Sequence, residues 1–397
     1  MELRRREHVR SLGVLVSRLG EVSVRHERCE FTGGRDDLGD GSRLFAGTGR
    51  TGGGLAVPEP PWPADREVIE RLLLDFTAWI GGAVTLRHQT VATGRIVRAG
   101  AGAAAQRVRT VFALTGQAVT DNGRTLPIGV SGRGSGLDVL RDRQFAESIA
   151  WMCCALAAAT EPVRGRPPAV LRPQAAAVLL HEAVGHYAEA LHVGAPAVHR
   201  LFTRIAGECL SVADRPEPDG GPGGYHQHDD EGVLSLGPTE LVRQGVLIAQ
   251  LHSRSTARAA ATASTGNGRA AQVWDVPIPR MSTLVCAPGQ RTEETLVDDL
   301  GSGVYIHRLA DGYRQGIQVS ASIVLGEHIE RGRRTGRYFT GGQVDGRLDL
   351  FTHLVELGDH AERNPNAMCG KDRQLLFDVG TIAPAMRLST LSLGARE

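Results

Sequence analysis

Apolar positions recur at helical spacing in two segments of the N-terminal half. The first runs from Ile69 to Ile80, with Leu72, Leu73 and Phe76 between them, and Asp65 and Gly81-Gly82 stand where an N-cap and a C-terminal stop belong. The second stripe consists of Phe145, Ile149, Met152 and Leu156. The pattern predicts two amphipathic helices.

Alternating or β-branched runs predict strands around these helices. Between the two helices lie VTLRHQTVATGRIVR and RVRTVFALTGQAVTDNGRTLPIGV, and the second carries a hairpin signal at Asn122-Gly123. Beyond residue 200 the chain shows short alternating runs such as IQVSASIVL, from Ile317 to Leu325, separated by Gly, Asp and Asn turns. We expect the second half to be dominated by antiparallel sheet.

These patterns predict an α+β protein with two domains. An N-terminal α/β domain is expected at residues 1–160, with a Gly/Pro-rich loop at about 33–63 that has little periodicity. A mainly antiparallel β domain is expected at residues 161–397, carrying one buried helix in LRPQAAAVLLHEAVGHYAEALHV. A chain of 397 residues is long enough for both cores.

Composition excludes several classes of protein. The formal net charge is +1, which predicts no general attraction to nucleic acid or to an anionic membrane. Six cysteines in 397 residues form no dense disulfide framework and fit a reducing compartment. GTGRTGGG lacks the lysine and the context of a nucleotide-binding loop.

The location expected from the sequence is the cytoplasm. The N-terminal MELRRREHVRSLGVLVSRLG lacks the uninterrupted apolar core and the small-residue cleavage site of a secretory signal. The longest apolar stretch, around IAWMCCALAAA, is too short to cross a bilayer.

The predicted buried helix contains the segment HEAVGH, in which His181, Glu182 and His186 are candidate metal-site residues. In the zinc-peptidase pattern H-E-x-x-H the two histidines are four residues apart and share one helix face. Here they are five apart, which separates them by about 140° on an ideal helix. A π-bulge at Gly185 would bring them together, and without one the helix would be purely structural.

Two histidines leave a catalytic zinc site one protein ligand short. The candidates for the third ligand are Cys369, the pair His226 and His228, and a carboxylate such as Glu189 or Asp229. Cys369 is preferred, because it lies in a Gly-flanked, polar turn, whereas structural cysteines are usually buried among apolar neighbours.

Lys371 lies two residues after Cys369 and is the only lysine among the 45 Lys and Arg residues of the chain. Lysine carries a compact ammonium on a flexible stem and arginine a wide planar fork, so the two differ most in tight places. We expect Lys371 to stabilise a thiolate, orient its turn or meet an anionic substrate group.

LLHEAVGHYAEA together with the distant MCGKDRQ resembles the TldD/PmbA family, specifically its metal-binding TldD-type subunit. Further matching stretches are DDEGV at 229–233, TGNGRA at 265–270, PIPRMS at 277–282 and the closing DVGTIAPAMRLSTLSLG. The resemblance extends from Leu171 to Gly394, whereas the N-terminal third is much less similar.

The resemblance implies a zinc metallopeptidase that acts on peptides or unfolded polypeptide. It implies His181, His186 and Cys369 as zinc ligands and Glu182 as the general base, and it makes 161–397 a metallopeptidase-like domain. It also implies a homodimer, or a heterodimer with a homologous PmbA/TldE-like subunit. Alternatives are a zinc hydrolase acting on a peptide-like small molecule in a biosynthetic pathway, and a non-catalytic pairing subunit.

Further residues are candidates for supporting roles. Glu189, one turn after His186, would hold a ligand histidine through its second nitrogen or would be a surface glutamate. Gly266, Asn267 and Gly268 either form an ordinary turn or let the backbone pair with a peptide as an added strand. The nearby Arg269 and Arg280 are candidates to bind a substrate carboxylate.

Overall fold

Two β-sheets and the helices packed on them make up the part of the chain that the computed structural model describes. The described ranges are 3–18, 21–36, 43–47, 66–81, 83–98, 104–134, 136–190, 201–216, 229–231, 233–235, 237–271 and 275–394. None of the helices in these ranges combines the length and the apolar character needed to span a bilayer.

The elements are numbered in chain order. The helices are α1 Arg66–Ile80, α2 Leu137–Arg141, α3 Arg143–Ala158, α4 Pro173–Leu180, α5 His186–Ala188, α6 Arg254–Ala259 and α7 Glu293–Asp298. A π-helical turn, His181–Gly185, joins α4 to α5, and a 3₁₀ turn covers Leu350–His353. The strands are β1 Leu3–Arg18, β2 Glu21–Asp36, β3 Arg43–Gly47, β4 Ala83–Arg98, β5 Ala104–Val119, β6 Thr125–Arg133, β7 Ala169–Leu171, β8 Val212–Asp214, β9 Thr239–Arg243, β10 Val246–Leu247, β11 Gly268–Arg269, β12 Ile278–Pro279, β13 Thr283–Cys286, β14 Gly303–Gln315, β15 Gln318–Glu330, β16 Arg333–Phe339, β17 Gln343–Arg347, β18 Leu354–Arg363, β19 Cys369–Lys371, β20 Gln374–Leu376, β21 Gly380–Leu388 and β22 Leu393–Gly394.

The N-terminal sheet has six antiparallel strands in the order β3-β2-β1-β4-β5-β6. The expected loop at 33–63 is wrong for its first part, because residues 33–36 end β2 and residues 43–47 form β3. Glycine is tolerated there because the ladder between neighbouring strands is made by backbone groups. Residues 48–63 of the expected loop lie outside the described residues.

The second sheet has twelve strands, and its main path runs β10-β9-β8-β13-β21-β7-β14-β15-β17-β22. Strand β16 pairs with β15 and β18 pairs with β21. The pairs β13/β21 and β7/β14 are parallel, and the other pairs of this sheet are antiparallel. The expected α+β class with a mainly antiparallel second half is confirmed.

The predicted local elements of the N-terminal region are also confirmed. Helix α1 ends at Ile80, and Gly81 follows with φ +71°, a left-handed conformation that favours glycine. Strands β5 and β6 form the expected hairpin, in which Gly123 has φ +81° and donates to Thr120 O at 2.9 Å. Helix α3 buries Ile149, Met152 and Leu156, as its stripe predicts.

The apolar core has two main parts. The larger cluster surrounds α4, and the second cluster packs α1 and α3 against β5 and β6. The second cluster also takes in Val324 and Leu325 of β15, a strand of the other sheet. The two sheets are therefore joined by shared packing, while the domain boundary at residue 160 stays a prediction.

Helix α4 is buried because it is alanine- and leucine-rich on several faces. Six of its eight residues are buried, and it packs between β21 and β14. Gly185 ends the π-helical turn at a point where a side chain would collide, since a Cβ there would lie 2.1 Å from Met281 Sδ and 3.2 Å from Leu284 Cδ2. Glycine at this position lets the turn lie directly on β13.

Candidate metal centre

Three side chains with metal-binding atoms come together on the face of the twelve-stranded sheet that α4 covers. The available ligand atoms of His181, His186 and Cys369 all lie within 4.8 Å of one another. Nε2 of His181 is 3.0 Å from Cys369 Sγ, and Nε2 of His186 is 3.3 Å from the same sulfur. The sequence separations are 188 and 183 residues, so the sulfur comes from a remote part of the chain.

The π-helical turn makes this meeting possible. The backbone N–H of His186 donates to the carbonyl oxygen of His181, five residues earlier, in place of the usual four. The extra residue in the turn brings the two rings to a centroid distance of 4.9 Å. The distortion expected from the five-residue spacing is confirmed.

Cys369 is delivered by a small hairpin of β19 and β20. Cys369 pairs with Leu376, and the tight turn between the strands is made by Asp372 and Arg373, whose φ angles are +49° and +63°. The side chain is buried, with 3 % exposure, although the surrounding sequence is polar. Arg280, which follows β12, donates from Nη2 to the carbonyl oxygen of Cys369 at 2.5 Å and thereby holds the hairpin in place.

The three side chains shift one another's protonation. Burial by itself would raise the pKa of the Cys369 thiol, but His186, His181 and Arg280 hold that pKa well below its ordinary value. Burial by itself would lower the pKa of both imidazoles, but Cys369 raises them, and Glu189 adds to the effect at His186. The sulfur is therefore a thiolate in a cationic environment.

Glu189 is fully buried and is not a surface glutamate. Its Oε2 lies 2.8 Å from Nδ1 of His186 and accepts a hydrogen bond from Lys371 Nζ at 2.7 Å. Burial would raise the pKa of this carboxyl, but Lys371 and His186 hold it well below its usual range. The lone lysine thus neutralises the carboxylate that orients a candidate ligand.

Other contacts of the site could not have been predicted from a local sequence pattern. Nδ1 of His181 lies 3.1 Å from Thr381 Oγ1 on β21. Oε1 of Glu189 accepts the Met281 N–H at 3.1 Å and lies 3.9 Å from Arg280 Nε. Thr381 was missed because a threonine in a buried strand is indistinguishable from an ordinary core residue until the helix is docked on it.

Glu182 lies beside the ligand atoms and faces open space. Its Oε2 is 4.0 Å from Nε2 of His186. Together with His181, Glu182 lines a cavity of about 360 Å³ between the helix and the N-terminal sheet. The other walls come from β14, from residues 364–366 and from neighbouring parts of β5 and β6.

The stretch from Gly266 to Gly268 is a buried internal turn. The Asn267 side chain donates to Asp214 Oδ2 and to the Arg280 carbonyl oxygen, at 2.8 and 3.0 Å. The N–H of Gly268 donates to Asp229 Oδ2, and its carbonyl oxygen accepts from the Asp230 N–H, both at 2.8 Å. The backbone groups expected to meet a peptide are used within the chain.

Arg269 and Arg280 are likewise not surface groups that await a substrate. Their exposures are 1 % and 0 %. Arg269 pairs with the buried Asp378 at 2.5 Å, and Arg280 supports the Cys369 hairpin. Both guanidinium groups bind buried partners within the chain, so the structure offers no support for a role of either arginine in binding a substrate carboxylate.

Among the remaining ligand candidates, Asp229 does not join the cluster. Asp229 accepts the N–H groups of Glu231 and Val233, at 2.9 and 2.8 Å, as well as that of Gly268, so it holds a turn together. His226 and His228 lie outside the described residues.

The donor set fits a zinc ion by its chemistry. Two imidazole nitrogens and a thiolate suit zinc and disfavour magnesium or calcium. Three protein ligands leave one position for water or substrate, as catalytic zinc sites do. The pairing of Glu189 with the second nitrogen of His186 is the outer-shell contact that metal-binding histidines usually make.

The chain matches a family model described as the PmbA/TldA metallopeptidase C-terminal domain over residues 164–395. A metalloprotease from Methanocaldococcus jannaschii is 30 % identical over 236 residues, which are 57 % of this chain and 45 % of the relative. A zinc metalloprotease TldD homolog from Saccharolobus solfataricus is 27 % identical over 146 residues, 36 % of this chain and 33 % of the relative. The chain spans about half the length, or less, of these curated relatives.

A solved structure, TldE from Thermococcus kodakarensis, has the same fold. It matches with a TM-score of 0.71 at 15 % identity, over 99 % of this chain and 97 % of TldE. This likeness concerns the fold, whereas the family match covers more than half of the sequence, including all three candidate ligands and Glu182. The chain belongs to the PmbA/TldD family.

Proposed function

We propose that this protein is a zinc-dependent peptidase that hydrolyses amide bonds in peptides or unfolded polypeptide. The observation that carries the proposal is the cluster of His181, His186 and Cys369 with Glu182 beside it at a cavity wall. The names of the curated relatives, which are metalloproteases, support the same class of reaction.

In this proposal the two histidines and the cysteine hold the zinc. When bound, zinc polarises a carbonyl oxygen and lowers the pKa of water toward neutrality. Glu182 takes the proton from the attacking water and passes it to the nitrogen of the leaving amine. Because Glu182 lines the cavity, its carboxylate can reach both the oxygen of the attacking water and the nitrogen of the leaving amine.

Glu189 and Lys371 position His186. Glu189 accepts from Nδ1–H of the imidazole, which leaves Nε2 as the metal-binding nitrogen. Lys371 offsets the negative charge of Glu189, so the carboxylate remains ionised although it is fully buried. A bulkier guanidinium would not reproduce the single contact of Nζ with Glu189 Oε2 at this distance.

The backbone of Gly129, on the outer edge of strand β6 and in the cavity that Glu182 also lines, favours an extended peptide as substrate. Strand β6 ends the N-terminal sheet, so one of its edges faces away from β5. The Ser131 N–H reaches outward from that edge to Pro365 O at 2.9 Å, and Pro127 O accepts outward from Arg308. In an antiparallel strand the N–H and C=O of every second residue face the same edge. The N–H and C=O of Gly129 therefore face the same edge as the Pro127 carbonyl oxygen and the Ser131 N–H, and Gly129 lines the cavity.

The Gly129 groups give the cavity the chemistry of strand addition. Nothing in the described part of the chain is hydrogen-bonded to them, and they lie between two positions whose outward groups are already used. A substrate backbone paired there would run past Glu182 and His181. Main-chain pairing recognises a peptide irrespective of its side chains, which favours unfolded polypeptide over a compact small molecule.

We also propose that the protein pairs, either with itself or with a TldE-like subunit. The support is the fold match to TldE over nearly the full length of both chains. Molar mass by light scattering, first of the protein alone and then mixed with a TldE-like subunit, tests this. A mass of one chain in both samples contradicts the pairing.

Cys369→Ser is expected to reduce bound zinc from about one ion per chain to a small fraction, because the thiolate is one of three proposed ligands. The measurement is elemental analysis of purified protein after dialysis. Cys209→Ser is the matched control, since Cys209 is exposed and outside the cluster. Equal zinc in the Cys369 and Cys209 variants would remove Cys369 from the site.

Glu182→Gln is expected to lower the hydrolysis rate of an unstructured peptide by about 10²–10⁴-fold, the usual contribution of a general base. Zinc content should be unchanged, because Glu182 is not one of the proposed ligands. Glu208→Gln on the surface serves as the control. Wild-type rates in Glu182→Gln would exclude the proposed role of this carboxylate.

Gly129→Pro is expected to raise KM for a peptide about fivefold, since the loss of one N–H donor costs about 1 kcal/mol. Proline should be tolerated at position 129 because its backbone nitrogen faces the outer edge of β6, as that of Pro127 does two residues earlier. Gly129→Ala adds the same Cβ, near Asn366, but keeps the N–H. Steady-state kinetics should separate the two variants, and equal KM values would argue against strand pairing.

A further inference from the structure

A second cavity, of about 500 Å³, lies on the face of the twelve-stranded sheet opposite to the metal centre. Tyr305 and His307 of β14 line it. Tyr305 belongs to a small buried cluster with Leu296 of α7, whereas its neighbour Ile306 belongs to the large cluster around α4. Because successive side chains of a strand point to opposite faces, the two cavities are separated by the sheet.

The floor of this cavity carries a buried hydrogen-bond acceptor. His307 is 3 % exposed, and its Nε2 lies 2.8 Å from Oε2 of Glu327, whose other oxygen accepts the Gly336 N–H at 2.7 Å. Burial lowers the pKa of the His307 imidazole. Burial by itself would raise the pKa of the Glu327 carboxyl, but its hydrogen bonds with His307 and the Gly336 N–H lower that pKa. The neutral ring therefore donates from Nε2, and Nδ1 remains an acceptor with no partner among the described residues.

Two arginines supply positive charge to the same cavity. Arg172 follows β7, and Arg334 of β16 lies with its guanidinium carbon 5.1 Å from the Tyr305 ring centroid. In the described part of the chain neither guanidinium forms an ion pair or a side-chain hydrogen bond. This differs from the paired arginines Arg269 and Arg337.

Four carboxylates also line the cavity, and two of them have partners: Glu293 accepts from the Tyr305 hydroxyl, and Glu362 accepts from the Gln174 side chain. Asp359 of β18 and Glu294 of α7 are exposed there, and their carboxylates make no ion pair with a described residue. Strand β18 lies next to β21, which lies next to β7, so Asp359 is two strand spacings from Arg172. That is about 10 Å, the length of about three extended residues.

We propose that this cavity binds a short peptide of about three residues with free termini. The peptide ammonium lies toward Asp359, and its carboxylate lies between Arg172 and Arg334. A backbone N–H of the peptide donates to Nδ1 of His307. The ring of Trp151, which is 42 % exposed and lines the cavity 5.2 Å from the His307 ring, packs against an apolar side chain of the peptide.

This site is independent of the proposed hydrolysis, because none of its residues touches the metal centre. Binding is therefore measured with a chelator present, which also prevents the peptide from being cleaved or from binding a metal ion. Failure of the peptidase proposal would leave this measurement unaffected, and peptide binding that is unchanged in Arg334→Gln and Arg172→Gln would be assigned to the cavity beside Glu182, which leaves the peptidase proposal intact.

The probe is alanyl-phenylalanyl-alanine, titrated calorimetrically into the whole chain. The N-acetylated and C-amidated forms each lack one terminal charge and should bind at least tenfold more weakly. Arg334→Gln and Arg172→Gln should each weaken binding of the free peptide about fivefold or more. Arg337→Gln is the matched control on the same strand, where Arg337 is paired with Glu330 outside the cavity, and it should leave affinity unchanged.

Three results would overturn the proposal. One is the absence of binding heat at millimolar peptide. Another is equal affinity for the free and blocked peptides, which would mean that the charged side chains of the cavity do not bind the peptide termini. The third is unchanged affinity in Arg334→Gln, an exposed substitution that should fold normally even if Arg172→Gln does not.

Discussion

The hydrogen bond from the His186 N–H to the His181 carbonyl oxygen, five residues back, is the constraint on which the site depends. An α-helical turn would point the two imidazoles about 140° apart, and no single ion could contact both. The π-helical turn costs some helix regularity, and the surrounding packing maintains it. Gly185 lies against Met281 and Leu284, and any side chain at this position would have to displace these two buried side chains.

A buried chain of charges holds the rest of the centre in place. Lys371, Glu189 and His186 are in contact in that order, and Arg280 lies beside Glu189 while it binds the Cys369 carbonyl oxygen. Each ion has a partner of opposite charge or a hydrogen bond, which is the condition under which buried charges are tolerated. The Glu189 carboxylate thereby links the helix, the segment between β12 and β13, and the cysteine hairpin.

The space around the metal centre is shaped by both sheets. The helix and β14 form one wall of the 360 Å³ cavity, and the outer edge of β6 forms another. The packing of β5 and β6 against α1, α3 and β15 fixes where that edge lies. The N-terminal region therefore contributes directly to the walls of this cavity, although it resembles the family much less than the remainder of the chain does.

The sequence by itself determined the local elements, the α+β class and the distortion of the HEAVGH helix, because helical spacing, turn residues and the five-residue interval are local properties. It also pointed to Cys369 through its unusual polar setting, although that residue proved to be buried. Only the tertiary structure decided which groups pair: Lys371 with Glu189, Thr381 with His181, and the arginines near residue 270 with internal partners. These contacts join strands and turns far apart in the chain, and their register is set by sheet pairing and core packing, which no short pattern encodes.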